Sequence, residues 1–329
     1  MINVAHINDD PRLGGITRSV PNLCKHLDPG FAHVMHVLDP KKTLPPRFDA
    51  RIIVVHFPPS WATLPWLLGL RLRNPQARLV LNEHSYTRGF EALHVGNRKR
   101  FRRMLRLACG MADHVATVSA AQGDWMCEAA HLPARKVTAI NPMTDLTTLR
   151  TLPLPVRQPG PLRLCAYGRF SVQKAFDDLI AAMKLVPPEV ATLRLVGLGE
   201  DEAALRAQAA DVPNVTVEGP VPGPEALLGE VDAVVIPSRF EAFGNVGAEA
   251  RAAGRPIIVT AVDGLIDQAL PGVPELMVPP GDIARLAQAI IWLAGQDVTA
   301  LGAVARESVA GTEARTISAW NGLLRQMAA

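Results

Sequence analysis

Short apolar segments rich in β-branched residues alternate along the chain with longer segments whose apolar residues recur every three or four positions. The first pattern is typical of strands and the second of helices. We predict strands near residues 2–7, 33–38, 51–55, 78–82, 114–118, 136–140, 163–167, 192–196, 214–218, 232–236 and 256–260. We predict helices near residues 16–28, 60–73, 98–110, 120–130, 174–186, 201–210, 223–230, 244–254, 283–295 and 313–327. This alternation predicts an α/β fold of doubly wound parallel sheets with helices on both faces.

A proline-rich segment divides this pattern into two parts. Residues 150–162 contain four prolines and one glycine, a composition that disfavours both helix and strand. We therefore expect an N-terminal domain over residues 1–150, a C-terminal domain over 151–311 and a final amphipathic helix over 312–329. Ligands of such sheets bind beyond the carboxyl ends of the strands, so we expect a ligand site in a cleft between the two domains.

Composition and charge narrow the class of protein. Apolar residues make up 48% and charged residues 20% of the 329 positions, which is typical of a soluble globular protein. We find neither a membrane-spanning apolar stretch nor a secretion signal, and so we expect a cytoplasmic protein. Residues 1–150 contain 20 Lys and Arg against 11 Asp and Glu, whereas residues 151–329 contain 14 against 20. The opposite charges suggest that the domains face different partners.

The four cysteines lie far apart and form no CxxC pair. Their spacing predicts small, buried, apolar thiols in a reducing compartment, with neither a disulfide framework nor a zinc site. The residues concerned are Cys24, Cys109, Cys127 and Cys165.

Two adjacent glycines, Gly14 and Gly15, precede the first predicted helix. They either allow a phosphate or substrate to approach the backbone closely or form a plain tight turn. The pattern is not GxGxxG, so it does not indicate a nicotinamide site. A later GxG, at Gly197 and Gly199, favours a structural turn.

A pair of cations lies at the end of the first strand of the second domain. Arg169 follows Gly168 directly, and Lys174 lies at the start of the next helix. The planar guanidinium and the compact ammonium could converge on a diphosphate, or both could face solvent.

The most informative segment is PSRFEAFGNVGAEA, residues 237–250, which follows an apolar strand and enters a helix. Seven residues separate Glu241 in the loop from Glu249 in the helix. The loop carboxylate can accept hydrogen bonds from sugar hydroxyls and the helical one can hold a ribose, although chance spacing is the alternative. Backbone N–H groups at the helix start can meet phosphate oxygens.

These motifs resemble the retaining glycosyltransferases of family four, whose GT-B fold contains two Rossmann-like domains. In the second half the matching segments are GRFSVQK (168–174), LRLVGLGE (193–200), VTVEGPV (215–221), DAVVIPSRFEAFGNVGAEARAAGRPIIV (232–259) and LMVPPGD (276–282). In the first half they are GGITRSV (14–20) and EHS (83–85). The first domain is short for the family, and Ala175 replaces the usual glycine after Lys174.

The resemblance implies a role for each matching residue. Arg169 and Lys174 would bind the donor diphosphate, and Glu241 would hydrogen-bond the donor sugar. The other donor contacts would lie at the phosphates, the base and the ribose; they are Gly15, Gly219, Val221, Phe243, Gly244, Asn245 and Glu249. Gly14 and Arg18 would lie on the acceptor side. The last helix would pack back on the first domain.

His84 follows a strand within the EHS segment. A lone histidine is more often a structural hydrogen-bonding residue, but the resemblance implies that His84 and Glu241 are the catalytic residues, with His84 contacting the sugar or the acceptor. We expect structural roles for His6 and His56.

Residues 98–107 form a basic amphipathic pattern in which apolar positions recur at helical spacing among six cations. Two interpretations fit. The segment is either an outer helix with a solvated basic face or a helix that rests on an anionic membrane. A single basic helix and 5% aromatic residues do not favour nucleic acid.

The expected activity is retaining transfer of a hexosyl unit from a nucleotide-diphospho-sugar to a saccharide or lipid-linked saccharide, in cell-surface glycan synthesis. UDP-sugars are the first expectation and GDP-mannose the second. The chain contains no Asp-x-Asp triplet, and we expect neither a metal nor another cofactor. A nucleotide-sugar epimerase and a non-catalytic accessory subunit remain the alternatives.

Overall fold

The computed structural model describes residues 1–9 and 15–329, without the side chains of residues 15–18. The described chain divides into two compact units. The first comprises Met1–Met143 and Gly311–Ala329, and the second comprises Thr144–Ala310. The proline-rich segment 150–162 lies inside the second unit, since the division falls a few residues before it.

The first unit is built around a parallel six-stranded sheet in the order β2-β1-β3-β4-β5-β6. Its strands are β1 (Ile2–Asn8), β2 (Phe31–Val37), β3 (Ile52–Val55), β4 (Arg78–Glu83), β5 (His114–Thr117) and β6 (Val137–Ala139). Its helices before the division are α1 (Gly15–Cys24), α2 (Leu64–Arg73), α3 (Arg88–His94), α4 (Arg98–Met111) and α5 (Ala120–Ala130).

Both faces of this sheet are buried, because successive side chains of a strand point to opposite sides. Ile53 and Val55 pack in one apolar cluster and Ile52 and Val54 in another. The second cluster includes the last helix of the chain, through Trp320, Leu323, Leu324 and Met327. The final segment is therefore part of the core of the first unit.

The second unit contains another parallel six-stranded sheet, in the order β12-β11-β10-β7-β8-β9. Its strands are β7 (Leu162–Arg169), β8 (Ala191–Leu198), β9 (Val215–Glu218), β10 (Ala233–Ile236), β11 (Ile257–Thr260) and β12 (Met277–Val278). The remaining helices are α6 (Thr147–Arg150), α7 (Phe176–Met183), α8 (Glu202–Ala209), α9 (Pro224–Glu230), α10 (Asn245–Ala252), α11 (Ile283–Ala294), α12 (Val298–Ser308) and, in the first unit, α13 (Thr312–Ala328).

The two parallel sheets confirm the α/β prediction, and each predicted strand and helix is present with shifted ends. The sequence pattern did not predict β12, α3, α6 or α12. The cysteine prediction was wrong in part: Cys109 and Cys165 are buried, but Cys24 and Cys127 are only half-buried. Cys24 is the last residue of α1, and Cys127 lies beside the buried face of α5 that includes Met126 and Ala129. No helix among the described residues is long and apolar enough to cross a membrane.

Candidate functional site

Two motifs that are far apart in sequence meet in the second unit. β7 and β10 are neighbours in the parallel sheet, so their carboxyl ends lie at the same edge. The turn after β7 contains Lys174, and the loop after β10 contains Glu241. Sheet order thus brings these two predicted residues together.

Several hydrogen bonds hold the turn and the loop against each other. The Arg239 backbone N–H donates to the Gln173 carbonyl (2.8 Å), and Gln173 Nε2 donates to the Phe240 carbonyl (3.2 Å). The Arg239 guanidinium pairs with Asp177 (2.7 Å) and Asp178 (2.9 Å) at the start of α7. Arg239 and Gln173 were not predicted as site residues, although both lie within the motifs. Their contacts hold the turn after β7 and the loop after β10 in position.

Lys174 Nζ forms an ion pair with Glu241 Oε2. Their side chains are only 18% and 12% exposed, so the pair is shielded from water but reachable. The attraction between the two charges is stronger in this shielded position than at a surface, and the loss of either partner is costly because it leaves the other charge unpaired. Arg169 is exposed at the end of β7.

The backbone conformation at Ala175 explains why a glycine is favoured at this position. Ala175 has φ 52° and ψ 38°, the left-handed region that glycine adopts without strain. The glycine usual in the family would therefore suit this conformation. Gly197 and Gly199 have a packing role, as expected of a structural turn, because an added Cβ would lie 1.9 Å from the Gly168 carbonyl oxygen and 2.2 Å from that of Phe170.

A hydrogen bond from a residue of β7 holds Glu249 in place. The Tyr167 hydroxyl, on β7, donates a hydrogen bond to Glu249 Oε2 at 2.7 Å. Burial raises the pKa of Tyr167, and the Glu249 carboxylate raises it further, so Tyr167 remains a donor. Tyr167 was missed in the sequence, although it lies directly before the glycine of the first motif.

The residues predicted to contact sugar or phosphate through their backbones, Phe243, Gly244 and Asn245, lie at the start of α10 and directly before it. Gly244 has φ 86° and ends the loop, and Asn245 begins the helix, so the positive end of the helix dipole lies there. Gln268 Nε2 donates to the carbonyls of Phe243 and Gly244, and Arg251 donates to Gln268 Oε1 at 2.9 Å. These bonds fix the conformation of the loop.

The remaining predicted residues are dispersed. Gly219 is exposed just beyond β9 and Val221 is half-buried. Gly15 begins α1, whereas Gly14 and the side chain of Arg18 lie outside the described part of the structure.

His84 follows β4 in the first unit and is half-buried. Its Nε2 lies 3.4 Å from His56 Nδ1, and His56 Nε2 lies 2.9 Å from His6 Nδ1. Burial lowers the pKa of His84 to about 4 and that of His6 to about 3, so both rings are neutral at pH 7. His6 and His56 are buried, hydrogen-bonded residues that support His84.

Two family models match separate parts of the chain. The model described as "Glycosyltransferase Family 4" matches residues 41–148, and the model described as "Glycosyl transferases group 1" matches residues 161–296. Together they span about three quarters of the sequence and both sheets.

Curated relatives and a solved structure agree with these models. Glycogen synthase of Mycobacterium tuberculosis is 31% identical over 188 residues, 54% of this chain and 45% of that protein. The capsular polysaccharide biosynthesis glycosyltransferase CapM of Staphylococcus aureus is 30% identical over 129 residues, 37% of this chain and 34% of that protein. The chain thus matches less than half the length of these relatives.

The structure of Anabaena HepE in complex with UDP-glucose superimposes with a TM-score of 0.74 at 18% identity and covers 99% of both chains, so the fold is shared over the whole length. The paired sheets, the ordered motifs and the two family models lead to one assignment: this chain belongs to the family-four, group 1 glycosyltransferases, with the GT-B fold.

Proposed function

We propose that this protein is a retaining hexosyltransferase that uses a nucleotide-diphospho-sugar and a saccharide or lipid-linked saccharide acceptor in cell-surface glycan synthesis. The observation that carries the proposal is the Lys174–Glu241 ion pair at the shared edge of β7 and β10. A second carboxylate, Glu249, lies on the adjoining helix and is held by Tyr167. This arrangement supports the proposal, because a cation suited to phosphate and two carboxylates suited to hydroxyl groups lie within one unit.

Lys174 and Arg169 would stabilise the charge that grows on the departing nucleoside diphosphate, the step at which fixed cations and dipoles lower the barrier most. Glu241 would accept hydrogen bonds from the transferring sugar, and Glu249 from the ribose. Because side-chain cations perform this task, we propose that transfer needs no metal ion, and chelator should leave turnover unimpaired. On the family resemblance, we propose that His84 of the first unit is catalytic and contacts the transferring sugar or the acceptor.

A UDP-sugar is our first choice of donor and GDP-mannose the second. The structures of HepE with UDP-glucose and of TarM with UDP support uridine as the base. We expect UDP near 100 times its Kd to stabilise the second unit by about 2.7 kcal/mol, visible as a rise of several degrees in its melting temperature. A thermal-shift comparison of UDP, GDP and ADP measures this.

Lys174→Ala should abolish the UDP shift, because it removes the half-buried cation proposed to bind the diphosphate. Lys184→Ala is the matched control, since Lys184 is exposed at the end of α7 in the same unit. A larger shift with GDP than with UDP would change the donor to GDP-mannose. A UDP shift that survives in Lys174→Ala would contradict the proposed phosphate contact.

We also propose that the first unit rests on the inner face of the cell membrane through α4. Arg103 and Arg106 on this helix are exposed, and α2 packs beside it. Exposed apolar side chains lie on the same two helices, since Leu107 of α4 is 47% and Leu72 of α2 is 69% exposed. Trp61 is 40% exposed, and the guanidinium of Arg100 on α4 lies over its ring at 5.5 Å. Cations mixed with exposed apolar groups suit a surface of anionic lipid.

Replacing both Arg103 and Arg106 by glutamine should weaken binding to vesicles containing phosphatidylglycerol about 30-fold, since each cation near an anionic surface contributes about 1 kcal/mol. Co-sedimentation measures the binding. The control is Lys184→Gln with Arg285→Gln, which removes two exposed cations from the second unit. Equal loss in both double variants would indicate non-specific attraction and would exclude a specific role for α4.

A further inference from the structure

A continuous row of imidazoles crosses the first unit from β2 to the end of β4. His33 Nδ1 lies 2.9 Å from His6 Nε2, and His6 Nδ1 lies 2.9 Å from His56 Nε2. His56 Nδ1 then lies 3.4 Å from His84 Nε2. Each ring uses one of its nitrogen atoms toward the next ring, so the protonated nitrogen of one ring decides that of its neighbour.

Asn82 sets the direction of this row. Its Nδ2, which can only donate, lies 3.2 Å from His56 Nδ1. A neutral His56 with an accepting Nδ1 carries its proton on Nε2 and donates to His6 Nδ1. His6 then donates from Nε2 to His33 Nδ1. The row ends at His33 Nε2–H, which is buried and has no hydrogen-bond partner among the described side chains.

A thiol joins the row at the same point. Cys24 Sγ, on the last residue of α1, lies 3.7 Å from His6 Nε2. One donor atom from each of His6, Cys24 and His33 lies within 4.8 Å of the other two. Tetrahedral Zn²⁺ with ordinary bond lengths requires about 3.5 Å between nitrogen and sulfur and about 3.3 Å between nitrogens. The thiol thus lies almost at the required distance from His6 Nε2 and within 4.8 Å of His33 Nδ1, and the two ring nitrogens need to separate by about 0.4 Å.

We propose that His6 Nε2, Cys24 Sγ and His33 Nδ1 form a Zn²⁺ site with water as the fourth ligand. Two imidazoles and a thiolate suit this borderline-soft ion. His33 already presents an unprotonated Nδ1 in the hydrogen-bond pattern above. Cys24 and His33 are half-buried, so the ion can reach them without unfolding the sheet.

Zinc at this site reverses the row of hydrogen bonds. His6 gives up its Nε2 proton to solvent, takes the His56 proton on Nδ1 and donates back to His56 Nε2. His56 then takes the His84 proton on Nδ1, and His84 takes one from solvent on its own Nδ1. Asn82 turns its amide so that its oxygen faces His56. Every ring stays neutral, and each zinc releases one net proton, from the Cys24 thiol.

Cobalt titration of the chelator-treated protein tests the site. Co²⁺ bound at an equimolar ratio should give thiolate-to-cobalt charge-transfer absorption. Addition of Zn²⁺ should remove this absorption by displacing the cobalt. Cys24→Ala and His33→Ala should each abolish this absorption. Cys127→Ala should retain it, because Cys127 is a half-buried thiol on another helix. Absence of the absorption in the unaltered protein, or its loss only in Cys127→Ala, would overturn the proposal.

Two measurements on the unaltered protein do not depend on the folding of variants. Zn²⁺ should protect Cys24, but not Cys127, from alkylation as measured by mass spectrometry. Nitrogen-15 NMR of the histidine side chains should show His84 changing from the Nε2–H to the Nδ1–H form on addition of Zn²⁺. Unchanged alkylation of Cys24 would exclude the site, and an unchanged His84 tautomer would exclude the reversal.

Zinc should also lower transfer severalfold in the unaltered protein but not in Cys24→Ala, a consequence that rests on the proposed function of His84. Complete absence of transferase activity would refute that function, while cobalt absorption would still decide the metal site. Zinc inhibition that persists in Cys24→Ala would place the inhibiting ion elsewhere and contradict the link to His84.

Discussion

Replacing Glu241 by glutamine is expected to lower kcat by about 10²–10³-fold, the effect of removing one well-placed polar group from a site that stabilises developing charge. The substitution keeps the size of the side chain but removes the charge that pairs with Lys174. Lys174→Ala should cause a loss of the same order, because no other cation contacts this carboxylate among the described residues. Turnover of radiolabelled nucleotide sugar with a membrane extract as acceptor measures both.

The two losses should not add. Since Lys174 and Glu241 contact each other, each single variant also leaves its partner unpaired in a shielded site, and the double variant should lose less than the product of the two factors. Glu307→Gln is the matched control, because Glu307 is exposed on α12 of the same unit. Full activity in both single variants would refute the site assignment.

Local patterns predicted the sheets because several interior strands are short, apolar and rich in β-branched residues, as in IIVV of β3 and AVVI of β10. β12 has only two residues and presents no periodicity. α12 contains Gly302, which lowers its helical propensity; an added Cβ there would lie 2.3 Å from the Gly254 carbonyl oxygen. Asp297, the N-cap of this helix, is the residue in the sequence that indicates where α12 begins.

The candidate site could be predicted only as far as its motifs are local. Glu241 and Lys174 were identified from separate segments, but their ion pair depends on β7 lying beside β10, a consequence of strand order. The supporting contacts of Tyr167 and Arg239 are likewise between strands and loops.

The row of histidines shows the same limit more strongly. His6, His33 and Cys24 belong to β1, β2 and α1, and no spacing rule connects them. The observation that all nine histidines lie in the first 150 residues was the available signal, but it does not specify which of them meet.

Glu83, next to His84, should make the stability of the first unit depend on pH. Its side chain is buried in a cavity lined by Phe57, Leu81, Cys109 and Met126. Burial raises its pKa to about 7, although the backbone N–H groups of Tyr86 and Ser85 donate to Oε1 and act in the opposite direction. Between pH 4.5 and 7 the folded state therefore binds a proton that the unfolded state has lost, so stability falls as pH rises.

Glu83→Gln should remove this dependence, because an amide oxygen can still accept both backbone hydrogen bonds and does not ionise. The free energy of unfolding of the variant minus that of the unaltered protein should increase by about 2.5 kcal/mol from pH 5 to pH 8. Urea unfolding with chelator, followed by tryptophan fluorescence, measures it. Four of the five tryptophans, Trp61, Trp66, Trp125 and Trp320, lie in the first unit.

The buried histidines provide a contrast of opposite sign. The lowered pKa values of His6 and His84 make the folded state lose stability as pH falls below 6.5, since the unfolded chain then binds more protons. The Glu83→Gln variant and the unaltered protein both contain these rings, so the contribution of the rings cancels when the two free energies of unfolding are subtracted. The remaining dependence on pH is due to Glu83. Asp124→Asn, an exposed carboxylate on α5, should show no such trend. A difference that is flat from pH 5 to pH 8 in Glu83→Gln would mean that Glu83 is ionised throughout and that its cavity is hydrated.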